Sequence, residues 1–148
     1  MSGEGPHSHL PRVLVRSEQT EGRVSVVESA MPAGAKGPPL HTHEFDETFY
    51  VLEGELTVQL GHELRKIGVG ELAFAPEGIP HTLANRGGTT ARFLLVCTPA
   101  GFEREFARRA AASAGVEPPP WAKQPIPEVT VVGPPIGEPA DNAPRAPD

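Results

Sequence analysis

From Arg12 to Thr98 the apolar positions come in short runs, each broken by turn residues. Leu56, Val58 and Leu60 alternate with Glu55, Thr57 and Gln59, and a period of two sends successive side chains to opposite faces of a strand. Valine-rich runs at Arg12 to Arg16 and Arg23 to Ser29, the run Thr48 to Leu52 and the run Phe93-Leu94-Leu95-Val96-Cys97 are further strand candidates. Turn signals recur at Gly61-His62, Gly68-Val69-Gly70, Pro76-Glu77-Gly78 and Asn85-Arg86-Gly87-Gly88. Short strands with turns roughly every ten residues predict an all-β antiparallel sandwich or barrel. No long helical pattern alternates with these runs, which excludes a parallel α/β sheet.

One helix is predicted over Gly101 to Ser113. Phe102, Phe106 and Ala110 recur on one face, and Glu103 and Glu105 precede Arg108 and Arg109 in the sense that suits the helix dipole. Gly115 can close it in the left-handed conformation. Such a helix packs over a barrel seam through its two phenylalanines, and can also serve as a lid.

The two ends read differently. Residues 1–9 form a polar leader, and residues 10–117 hold the barrel and helix. Residues 118–148 form a proline-rich tail that contains ten of the eighteen prolines. Inside that tail Val129-Thr130-Val131-Val132 could add an edge strand to the barrel or to a partner. His7 and His9 imitate a ligand pair, but they sit in a segment too polar to be held rigid.

Composition narrows the function. The 148 residues suffice for one domain, and the net charge of −6 comes with no cluster of Lys and Arg. A nucleic-acid or anionic-membrane partner is therefore not expected. The lone Cys97 allows no intrachain disulfide and reads as a small buried hydrophobe. No signal-peptide pattern or membrane-length apolar run is present, so the expected location is cytoplasmic.

The chemistry concentrates around histidine. On a strand, His41 and His43 point to the same side, so their imidazoles converge. Glu47 shares that parity, but four residues of straight strand would carry it roughly 13 Å away. It joins the same point only if Glu44-Phe45-Asp46 turns the chain back and Glu47 opens the return partner of the strand that ends at His43. By spacing alone Glu44 and Asp46 are rival carboxylates. His81 follows Pro76-Glu77-Gly78-Ile79-Pro80, whose prolines and glycine fix the backbone before the next strand; considered singly, it reads as a core histidine.

Taken together, these residues carry a resemblance. The stretch His41-x-His43-x-x-x-Glu47 closing at Gly54 resembles the first signature of the cupin superfamily. Gly70, Pro76, Gly78, His81 and Asn85 resemble the second in order and spacing. One departure exists: the opening glycine of the first signature falls at Ala35, with Gly34 and Gly37 on either side. The resemblance implies an all-β double-stranded β-helix, a jelly-roll-like barrel with one C-terminal helix. It further implies one divalent transition metal (Fe, Mn, Ni, Co, Cu or Zn) held by His41, His43, Glu47 and His81.

Within the superfamily, Pro38 to His43, Phe49 to Glu55 and the helix from Gly101 are most similar to small single-domain quercetinase-like proteins. That likeness implies a metal-dependent dioxygenase of a small phenolic or enolic, flavonol-like substrate. Glu47 would then act both as ligand and as catalytic proton acceptor, in a homodimer. A redox-neutral isomerase, cyclase or decarboxylase is the alternative, and a non-catalytic binding module is a third. The stretch before His41 shows no helix-turn-helix pattern, which lowers a regulatory role. Phe49, Phe74, Phe93, Leu83 and Leu95 are candidates for an apolar pocket wall.

Overall fold

The computed structural model describes residues 9–137. Ten strands form two five-stranded sheets, and every pairing is antiparallel. The strands are β1 (Arg12–Val15), β2 (Ser25–Met31), β3 (His41–His43), β4 (Asp46–Glu53) and β5 (Glu55–Leu60). They continue as β6 (Glu63–Gly68), β7 (Leu72–Ala75), β8 (His81–Ala84), β9 (Ala91–Thr98) and β10 (Val129–Val131). One sheet runs β1-β2-β9-β4-β7 and the other β10-β3-β8-β5-β6. This is the all-β jelly-roll barrel that the turn spacing and the resemblance lead one to expect.

Alternation puts the core between the sheets. Phe49 and Val51 of β4, Phe93 and Leu95 of β9, and Leu56 and Val58 of β5 are buried against one another with Val27, Ile67 and Leu83. Thr57 breaks the simple in-and-out reading of β5, because it too is buried. Phe74, a sequence candidate for the pocket wall, is 47% exposed on β7. Thr48 and Phe74 are directly paired, on the outer face of the sheet, because Glu47 and Phe49 take the inner one.

The turn before β3 is built without a glycine at Ala35. Ala35 donates its N–H to Pro32 O at 3.1 Å and its carbonyl accepts from Asn85 N at 2.9 Å. Gly37 carries the positive φ of 77° instead, and a Cβ there would stand 1.8 Å from the Leu83 carbonyl oxygen. Only glycine lets the two backbones approach this closely.

A short helix, α1 (Ser17–Thr20), follows β1, and a longer one, α2 (Glu103–Ala114), packs against β1 and β2. Buried Glu103 ties the two helices together. Its carboxylate accepts from Ser17 N and Ser17 Oγ, both at 2.7 Å, and from Gly101 N at 2.6 Å. Burial alone would raise its pKa, but these donors hold it below the ordinary value. The arginines of α2 do not sit at its C-terminus, since the helix runs on to Ala114. Arg109 instead donates to Glu105 at 2.8 Å, and Arg108 donates to Ala122 O and Gln124 O.

Those last two bonds hold the proline-rich segment, where a 3-10 turn (Pro120–Lys123) precedes β10. The valine run does form a strand, and it pairs with β3 of its own barrel. Among the described residues no helix is long and apolar enough to cross a membrane.

Candidate metal centre

β3, β4 and β8 each deliver part of one cluster. His41, His43, Glu47 and His81 offer one ligand atom apiece within 4.8 Å of one another. His41 and His81 are direct cross-strand partners, with ring centroids 4.6 Å apart. Glu47 reaches them from the other sheet. The chain does turn back at Glu44-Phe45, but β4 is not the hydrogen-bonded return partner of β3; it pairs with β7 and β9. The turn is therefore a crossing between sheets rather than a hairpin, and the cluster lies inside the barrel between them.

The rival carboxylates are excluded by where their side chains go. Glu44 is exposed, and Asp46 accepts the Glu77 N–H at 2.9 Å with its Oδ1. Buried Glu47 is the acid that faces the imidazoles. His9 lies outside the cluster, and His7 lies outside the described residues.

Each imidazole is oriented by a backbone carbonyl. Nδ1 donates to Pro39 O at 2.7 Å in His41, to Phe45 O at 2.9 Å in His43 and to Ile79 O at 2.9 Å in His81. A carbonyl can only accept, so Nδ1 carries the hydrogen and Nε2 keeps the lone pair of each neutral ring. This outer layer of partners fixes tautomer and aim, as is usual for histidines that bind metals. Phe45, which sequence reasoning passed over, contributes twice: its carbonyl takes the His43 proton, and its ring stacks on His43 at 3.5 Å and 1°. Its only sequence signal was an aromatic residue two positions after His43.

Electrostatics agree with a site for a cation. Nε2 of His43 and Nε2 of His81 lie 3.2 and 3.1 Å from Glu47 Oε1, and each donates to it when its ring is protonated. Burial would raise the Glu47 pKa, but the two imidazoles outweigh it and pull the carboxyl down to about 2. Burial also opposes charge on His81, yet the Glu47 and Ile79 bonds raise its pKa. For His41, burial dominates and the pKa falls. A buried carboxylate needs donors or positive charge beside it, and His43 and His81 supply both when protonated. Three imidazole nitrogens and one carboxylate oxygen form a mixed set compatible with a divalent transition metal. Cys97 takes no part; it is buried, and burial pushes its thiol up.

The cluster opens into a cavity of about 800 Å³. His41 and Glu47 line it, together with Phe49, Leu83, Phe93 and Leu95 from the barrel, Phe102 just before α2 and Phe106 within it. The expected apolar wall therefore exists without Phe74. The helix packs on the barrel and also borders the cavity: Phe106 rests on the core while lining it.

A barrel of two antiparallel sheets that carries three histidines and a glutamate at one end defines the cupin architecture. Residues 27–97 match the family described as Cupin domain, and fold and match together place the chain in the cupin superfamily. Uncharacterized protein MJ1618 from Methanocaldococcus jannaschii is 30% identical over 76 residues, 51% of this chain and 60% of that protein. Among solved structures, TT1209 from Thermus thermophilus is 31% identical, with TM-score 0.54, over 64% of this chain and 87% of that chain. The polyketide cyclase RemF from Streptomyces resistomycificus is 31% identical, with TM-score 0.52, over 59% of this chain and 62% of that chain. The chain spans 28% and 60% of the length of the curated relatives it matches.

Proposed function

We propose that His41, His43, Glu47 and His81 hold one divalent transition-metal ion, and that the protein is a metal-dependent dioxygenase of a small phenolic or enolic compound. The observation that carries this reading is that the cluster faces an apolar cavity through His41 and Glu47. Its volume of about 800 Å³ lies in the range of small-molecule sites.

The ion would act as a Lewis acid on the substrate oxygen and, where redox-active, would support reaction with O2. The chain supplies the rest. Glu47 takes the hydroxyl proton on its carboxylate, the conventional role of a positioned general base. Phe49, Phe93, Phe102 and Phe106 clasp the flat ring and keep water from the resulting anion. The remaining charged groups in the lining, Glu105 and Arg109, are bonded to each other.

The test is a panel of flavonols, catechols and β-dicarbonyls assayed with and without O2 on the Fe, Mn, Ni and Co forms. Product that requires O2 is expected. Equal rates without O2 would replace the oxygenase with a redox-neutral enzyme, a reading favoured by the 31% identity to a polyketide cyclase. No product from any fully metallated form would point to a binding role.

A further inference from the structure

The cavity is not built by the matched barrel segment alone. Ile126, Pro127, Val129 and Val131 line it from the proline-rich arm, beyond the last matched position at residue 97. The arm is fastened at both ends. Arg108 Nε and Nη2 donate to Ala122 O and Gln124 O at 2.6 and 2.7 Å, and Arg104 Nη1 donates to Pro125 O at 2.9 Å. Beyond β10, Val132 N donates to Leu40 O at 2.8 Å and Leu40 N donates to Pro134 O at 3.2 Å.

Register makes this fastening chemically relevant. Val129 pairs directly with His43, and Val131 with His41. Directly paired residues of antiparallel strands put their side chains on the same face, with Cβ atoms about 5 Å apart. The two valines therefore stand beside the imidazoles on the cluster side of the sheet. Val131 is nevertheless 63% exposed, because the space before it is the open cavity.

We propose that the arm is the specificity wall of the site, with Val131 setting how large a flat aromatic ring can approach His41 and Glu47. This rests on the reading of the cavity as a substrate site but not on O2 chemistry. All four cluster residues lie on β3, β4 and β8, so the wall can change without altering the donor set. A larger residue at Val131 narrows the approach, a smaller one widens it, and loosening the Arg108 clasp removes the wall for every ligand.

The experiment titrates phenol, 2-naphthol and a flavonol into full-length Zn(II)-loaded protein under nitrogen, by calorimetry. Val131→Phe is expected to weaken the flavonol relative to phenol by about tenfold or more, the scale on which a pocket discriminates by size. Val131→Ala shifts the ratio in the opposite direction. Arg108→Ala weakens all three ligands and speeds proteolysis within the arm, while zinc is still bound, because the four donors lie on β3, β4 and β8 and Arg108 touches none of them. An unchanged flavonol-to-phenol ratio in folded Val131→Phe protein overturns the proposal, as does a wild type that binds none of the three. A shifted ratio here, combined with no O2-dependent product from the Fe, Mn, Ni and Co forms assayed in air, overturns the oxygenase alone and leaves the wall in place.

Discussion

Nε2 of His81 lies 3.1 Å from Oε1 of Glu47, and that contact joins two residues 34 positions apart on opposite sheets of the barrel. Neither strand could present its ligand usefully without the other. A site shared between sheets couples ion binding to the closed state of the barrel.

The first expectation is one metal ion per chain. His43→Ala or His81→Ala should abolish tight binding, as read by metal analysis after dialysis, and should erase the metal-induced rise in melting temperature. At about 100 times Kd, the ion should add roughly 2.7 kcal/mol to wild-type stability. Alanine at His7 or His9 should change neither quantity. Full occupancy in a His41→Ala, His81→Ala double variant would remove the metal assignment.

Glu47→Gln separates ligation from proton transfer. The amide oxygen can still approach an ion, so part of the metal affinity should survive. Turnover should fall by about 10²- to 10⁴-fold, the usual contribution of a positioned base. Steady-state rates at matched metal occupancy decide the matter, since a loss fully explained by metal loss would leave Glu47 a ligand only.

Glu103 predicts a pH dependence. Its folded pKa is held below the ordinary carboxyl value by donors on Ser17 and Gly101, against the opposing effect of burial. A carboxyl with a depressed folded pKa stabilises the fold above its unfolded pKa, near 4.5. That contribution is lost as pH falls through the folded value. Glu103→Gln should cost about 1–3 kcal/mol at neutral pH. Urea midpoints for variant and wild type should converge as the pH drops below that range; a constant gap would refute the linkage.

Gly37→Ala tests the close approach behind β8. The new Cβ would collide with the Leu83 carbonyl, two residues from His81, so the backbone must shift. A loss of about 2–4 kcal/mol is expected, with weaker metal binding because β8 carries a ligand. Thermal melting with and without metal reads both, and Gly34→Ala, which shares the φ of 77° but meets nothing within 4 Å of its added Cβ, separates the collision from the backbone strain.

We propose a homodimer formed through an edge of the β1-β2-β9-β4-β7 sheet. Val13, Val15, Val24 and Val26, from the two valine-rich runs, are half-buried in their own chain. On the two edge strands of that sheet the exposed large apolar residues are Leu14 at 39% on β1, and Leu72 at 54% and Phe74 at 47% on β7. Unpaired edges of this kind invite covering. Light scattering at tens of micromolar should return twice the chain mass of 15.7 kDa, and a monomer there would exclude the assembly.

The sequence by itself determined the fold class and the four candidate ligands. Period-two alternation and evenly spaced turns are local properties, and the two signatures fix spacing along the chain. Glu47 already needed a turn at Glu44-Phe45-Asp46 to reach the histidines, and that turn exists. Tertiary structure decided what depends on partners distant along the chain. It sent β4 to the opposite sheet and directed Asp46 to the Glu77 amide. It turned Phe74 outward and aimed each imidazole through a backbone carbonyl. It also drew the proline-rich arm back across β3. Three short β residues among prolines have little preference of their own; the carbonyl clasps of Arg104 and Arg108 and the open edge of β3 hold them there, and neither is visible until the barrel has closed.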